Sequence, residues 1–148
     1  MLAINARITG LASIEQKLAE YERQVRDAAF GALQTGALIV VNIAKRKILR
    51  GPKTGRWYMR GKRRHRASAP GQPPASDTGR LVNAITSRAN RRAFTIAVVA
   101  NTKYAAALEY GTRRMRPRPF LRASLKEARP EIVRLVREAV RNARRAAA

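Results

Sequence analysis

The chain has no cysteine, a single histidine and few acids: 9 Asp+Glu stand against 32 Lys+Arg, a formal net charge of +23. The missing cysteine excludes disulfides, thiol catalysis and cysteine-based zinc sites. The one histidine, His65, lies inside a run of cations, where it reads as solvated rather than as a metal ligand, since a metal needs several donors. The shortage of carboxylates argues against acid–base catalysis, which needs paired titratable groups with separated pKa values. Between Asp77 and Glu127 the one carboxylate is Glu109, and it reads as an ion-pair partner for Arg113, Arg114 or Arg116. Ser68, Ser76 and Thr78 have no nearby base other than His65 and no orienting acid. Long apolar runs are also missing. The longest aliphatic stretch, Ala37 to Val41, is much too short to span a bilayer, and Glu15, Glu20 and Glu22 arrive before any apolar block of the kind a signal peptide needs. The expectation is a non-enzymatic chain with no metal, no cofactor, no small-molecule substrate and no membrane partner, acting on the cytoplasmic side where it is made.

What is present is a globular composition, 45% apolar over 148 residues, enough for one domain with one core. The positive charge calls for nucleic acid, an anionic membrane or an acidic protein surface, and its sign alone cannot choose between them. Three segments follow from the pattern. In residues 1–50, alternation of Leu2, Ile4, Ala6 and Ile8 suits a strand over Met1–Thr9. Ser13 and Gln16 then fit a capping box. Apolar positions at Ile14, Leu18, Tyr21, Val25, Ala28, Ala32, Gly36, Ile39 and Ile43 predict one long helix, with Gly31 or Gly36 as a bend or a close-contact point.

Residues 51–76 have no period and many breakers, and read as a loop: a mobile basic arm on a stiff Pro-rich stem. From Arg50 to Arg66 there are eight Lys or Arg and no acid. In residues 77–148, Asp77 is expected to cap a short helix from Thr78 to about Ala84. Strands are expected at Ile85–Ala89 and Ala93–Ala100, a short helix capped by Thr102 through Glu109, and a second long helix over Phe120–Ala147. The fold class is α+β: a small antiparallel sheet of about three strands packed by two long helices, with a long basic loop.

Motifs sharpen this only in part. Gly51-Pro52-Lys53-Thr54 fails as a phosphate-binding loop, because a proline separates the glycine from the lysine and a helix precedes it. In the arm, Trp57 and Tyr58 stand among Arg56, Arg60, Lys62, Arg63 and Arg64. They read either as a stacking surface for single-stranded nucleic acid or, the favoured reading, as anchors on the core or on a neighbouring subunit. Arg134, Arg137, Arg141 and Arg144 form a stripe on the last helix. It is read as free of interspersed acids, which sets a polyanion-facing role beside that of a solvated face. The segment Glu109 to Leu125 reads as a constrained joint.

Three stretches, "PPASDTGRL", "YAAALEYGT" and "RPFLRASL", fall in an order and spacing that resembles a family of tailed-bacteriophage morphogenesis proteins, the lambdoid gene-product-ten-like family related to minor tail protein Z. The matching positions are Thr78, Gly79 and Leu81; Tyr104, Ala105, Glu109, Gly111 and Thr112; and Arg118, Pro119, Phe120 and Leu121. The resemblance covers about Thr78 to Leu125 and departs at Ala123-Ser124, where many members have Pro-Ala. It implies a structural protein of the virion neck or tail top, made in the bacterial cytoplasm. It would work in tail completion or head–tail joining with other phage neck and tail proteins, as a homo-oligomeric ring around the double-stranded DNA of the channel. The motif residues would then serve fold and assembly, and Arg56–Arg64, Arg134, Arg137 and Arg141 would meet subunits or DNA. The rival expectation is a cytoplasmic nucleic-acid-binding protein using the basic arm and the last helix.

Overall fold

Helical spacing of apolar residues from Ile14 to Ile43 makes one element of the first segment. The computed structural model, which describes residues 11–146, shows α1 unbroken over Leu11–Arg50, 40 residues. At 1.5 Å per residue it is ~60 Å long. The helix is already formed at Leu11, so Ser13 lies within it and not at its cap. The strand expected over residues 1–9 lies outside the described residues.

The second long helix, α4 (Leu121–Ala146), runs antiparallel along α1. Glu127 takes Lys47 at 2.7 Å and Arg46 at 3.5 Å near one end, and the Arg144 Nε donates to the Tyr21 hydroxyl at 3.2 Å near the other. Between them Gly36 gives α4 its close approach, since a Cβ there would sit 2.8 Å from Ile132 Cγ1. Pro130 is carried within α4 without ending it. One 18-residue window of α1 reaches a mean hydropathy of 1.4, enough by length and composition to cross a membrane. Its apolar residues Val40, Val41, Ile43 and Ala44 are buried in the core, the arrangement of a core helix.

The four strands among the described residues form two separate hairpins. The hairpin β3 (Ile85–Asn90) and β4 (Thr95–Ala100) pairs antiparallel from Ile85↔Ala100 to Asn90↔Thr95 and lies on α1. Its tip is fixed by a 2.5 Å ion pair between Arg91 and Asp27 and by Phe94 against Phe30, ring centroids 5.5 Å apart. The hairpin β1 (Trp57–Arg60) and β2 (Arg63–Arg66) occupies the segment expected to be loop. Two short helices, α2 (Arg80–Asn83) and α3 (Ala105–Tyr110), complete the elements among the described residues. The α+β class with small antiparallel sheets and long helices stands; among the described residues the strands form two two-stranded sheets.

The core gathers at the C-terminal half of α1. Val41, Ala44 and Ile48 pack with Leu81, Val82, Ile85, Ala105 and Phe120, so α2, the start of β3, the start of α3 and the entry to α4 are drawn onto that end of the helix. The Pro-rich stretch is drawn in as well. Ser76 donates its backbone N–H to Ile48 at 3.2 Å, Gly71 to Pro117 at 3.0 Å, and Ser68 is fully buried. It is therefore a packed part of the body and not a free stem.

Candidate functional site

The joint between α3 and α4 is organised by one carboxylate. Glu109 is 3% exposed. Its Oε2 accepts the backbone N–H groups of Phe120 at 2.8 Å and Leu121 at 2.9 Å, and its Oε1 accepts that of Arg122 at 2.9 Å. These are among the orphan donors at the start of a helix, and a negative charge there also meets the positive end of the helix dipole. The Arg122 Nε approaches the same carboxylate at 3.4 Å. Burial pushes the Glu109 carboxyl up, but the three backbone N–H groups and Arg122 outweigh it and hold it below the usual carboxylate range. Glu109 thus caps α4 and does not pair with Arg113, Arg114 or Arg116. Gly111 follows with φ 80 and ψ 179, a conformation reserved for glycine. A Cβ there would sit 2.8 Å from the Met115 carbonyl oxygen. Thr112 bridges to Met115, Arg118 donates its backbone N–H to Leu108 at 2.7 Å, and Phe120 is fully buried.

The basic arm is ordered by a two-residue turn. Gly61, at φ 56, and Lys62 connect Arg60 to Arg63, the Gly-first turn that suits a tight hairpin. Its ladder continues beyond the strands, with Ala67 donating to Arg56 at 3.0 Å and Gly55 to Ala67 at 2.8 Å. Alternation then sorts the side chains. Trp57, Met59, Arg64 and Arg66 share one face, and Tyr58, Arg60, Arg63 and His65 share the other. On the first face the Trp57 ring carries Arg64 at 4.4 Å and Arg66 at 5.5 Å, and stays 53% exposed. Trp57 is therefore not an anchor on this chain's own core. On the second face Arg60 pairs with Asp77, His65 Nδ1 lies 3.8 Å from Asp77, and Tyr58 packs edge-on against His65 at 5.0 Å. Asp77 consequently does not cap α2. Gly79 occupies that position with φ 74 and no side-chain cap, because the carboxylate finds a stronger, charge-assisted partner in Arg60. Thr102 likewise does not cap α3, which begins at Ala105 after Tyr104.

The inner face of the hairpin and the body enclose a cleft of about 370 Å³. Motif residues from distant segments meet there: Thr78, Gly79 and Leu81 from the α2 entry, Tyr104 from the α3 entry, and Arg118 from the joint, facing Tyr58, Arg60 and His65 of the arm. Leu81 is buried at its base, whereas Tyr58 and Tyr104 are 44% and 43% exposed. The other motif residues, Glu109, Gly111, Thr112, Pro119, Phe120 and Leu121, belong to the capped joint beside it. Arg56, Lys62, Arg63 and Arg64 lie on the arm's exposed surface.

The stripe on α4 divides in two. Arg134 is held by Glu131 at 2.5 Å and Glu138 at 2.9 Å, acids interspersed on the same helix, and these partners raise its pKa further. Arg137, Arg141, Arg144 and Arg145 flank a shallow groove floored by Val136 and Val140. Among the described residues no group of three or more His, Asp or Glu side chains is placed to hold a metal ion.

No curated protein and no solved structure matches the chain significantly. A family match does exist, and it reaches back through the first helix, where the motifs above gave no purchase, and stops at Gly111, before α4. It spans residues 12–111, more than half of the 148, so the chain belongs to the HK97-gp10-like family, described as "Bacteriophage HK97-gp10, putative tail-component".

Proposed function

We propose that the chain is a non-enzymatic structural protein of the virion neck or tail top. It acts with other phage neck and tail proteins in tail completion and head–tail joining, as several copies in a ring around the DNA channel. The β1–β2 hairpin is its assembly arm. The observation that carries this reading is the hairpin's outer face: Trp57 and Met59 are 53% and 64% exposed on an element that makes hardly any contact with the other helices and strands. Exposed apolar side chains on a strand pair with open edges are a standing invitation to a partner. Charge agrees with protein neighbours as the main partner. One copy carries +23, whereas ~40 Å of duplex carries about 24 phosphate charges, so several copies would far exceed the DNA they surround. Deleting the gene is expected to leave filled heads and separate tails, or tails of abnormal length, in electron micrographs. Normal infectious particles would refute the proposal.

The stacking of Arg64 and Arg66 on Trp57 favours a second reading, a surface for single-stranded nucleic acid. That reading requires tight binding of the free protein to oligonucleotides, falling steeply as salt rises.

A further inference from the structure

The geometry points to a carboxylate-binding role for the cleft between the hairpin and the body: it is the socket for an extended acidic segment of a neighbouring virion protein. This rests on the reading of the chain as a structural tail component.

The cleft is cationic and short of acid. Arg60, His65, Arg80 and Arg118 line it, and its one carboxylate, Asp77, is already taken by Arg60 with His65 beside it. Arg80 and Arg118 have no carboxylate partner among the described residues. Arg118 is the more telling of the two. Its Nη1 donates to the buried Ser68 hydroxyl at 3.2 Å, and its Nε is buried with no hydrogen-bond partner. A half-buried guanidinium held by one neutral hydroxyl is poorly compensated, and an anion brought against it offsets that deficit. Arginine is also the cation whose planar fork suits a carboxylate.

The walls select the kind of anion. Tyr58 and Tyr104 present part-exposed rings, and Pro74 and Leu108 add apolar surface, so an incoming chain with apolar side chains beside its carboxylate is matched on both counts. A cleft of about 370 Å³ has room for part of an extended peptide. A second copy's arm is a poor occupant, because residues 50–66 carry no acid. The chemistry therefore fits an acidic strand or tail of a different protein.

The test places a benzophenone photo-crosslinking side chain at Tyr104, inside the cleft, and separately at Met59, on the outer face, in full-length protein within assembled particles. The expected result at Tyr104 is a crosslink to a second virion protein, at a peptide with Asp or Glu next to the attachment point. Arg80→Glu, at an exposed position, should lower that yield at least about tenfold through like-charge repulsion, Arg80→Lys should keep it, and Arg118→Gln should lower it if the variant folds. A crosslink to DNA, a crosslink to a peptide without acids, or a yield unchanged in Arg80→Glu overturns the proposal. Crosslinks from Met59 with none from Tyr104 also overturn it while leaving the structural role intact. Silence at both positions, with normal particles from a gene deletion, removes both.

Discussion

Replacing Glu109 tests the physical account of the joint directly. The carboxylate accepts three backbone N–H groups at 2.8, 2.9 and 2.9 Å while 3% exposed. A single side-chain cap contributes about 1 kcal/mol, and a hydrogen bond to a charged group about 1.5–3 kcal/mol. These are not additive, and burying the charge takes back a part. Glu109→Ala, which leaves three donors facing an apolar void, is expected to cost on the order of 3 kcal/mol. Glu109→Gln is the sharper variant. Its one oxygen can serve Phe120 and Leu121, but its amide N–H then points at the Arg122 N–H and Nε, so a loss of about 2 kcal/mol is expected despite the unchanged shape. For a chain of this size each kcal/mol moves Tm by about 2–4 °C, giving a drop of roughly 4–8 °C for Gln. Urea denaturation and calorimetry measure it. The pH dependence gives a second reading. The Glu109 carboxyl is depressed in the folded chain, so its contribution is fully present above the unfolded value of about 4.3 and is lost as pH falls through the lower, folded value. Glu109→Gln should lack that acid-side component of the loss. A Gln variant within about 0.5 kcal/mol of the parent, with the same acid profile, would show that Glu109 does not hold the start of α4.

Gly111→Ala should destabilise by about 1–3 kcal/mol in the same assay, because φ 80 with ψ 179 is closed to alanine and its Cβ would strike the Met115 carbonyl. Two glycines within α1 should respond oppositely: Gly31→Ala, with nothing within 4 Å of the new Cβ, should stabilise by about 0.5–1 kcal/mol, whereas Gly36→Ala, 2.8 Å from the stiff Ile132 side chain, should destabilise. Trypsin should cut the free protein first at the Gly61–Lys62 turn, leaving fragments that stay associated. Asp77→Asn, which removes the partner of Arg60, should speed that cut, and assembled particles should resist it.

How much of this was legible depends on which signal each element needed. The helices were readable because each buries one stripe, and a stripe prints a period on the sequence. The β3–β4 hairpin was readable because β4 is rich in β-branched residues. The β1–β2 hairpin was not, although its Gly-first two-residue turn is a hairpin signal. Period-2 alternation of apolar and polar residues appears only where one face of a strand is buried, and here every residue of β1 is exposed. Cations fill both faces, so the pattern looked like a loop. Asp77 and Thr102 were misassigned because capping preference is a local rule and each lost to its surroundings: Asp77 to a guanidinium 17 residues away, Thr102 to a helix that starts three residues later.

The cleft lies further from any reading of the sequence, since its walls come from segments separated by up to sixty residues. The distribution of acids, however, explains why it is there. Asp27 fixes the β3–β4 tip, Asp77 the basic hairpin, Glu109 the start of α4, and Glu127 the pairing of the two long helices. Glu131 and Glu138 neutralise Arg134. These six of the nine carboxylates are thus engaged by this chain's own cations and helix start. Arg80 and Arg118 in the cleft, Arg113, Arg114 and Arg116 on the joint loop, and Arg137 and Arg141 on α4 are left without acidic partners among the described residues. On the proposed reading, a fold that commits most of its acids internally and leaves these arginines outward meets the opposite charge on its neighbours. That pairing favours assembly with acidic proteins over a self-sufficient domain, and it places the demand most sharply where a guanidinium is half-buried, at Arg118.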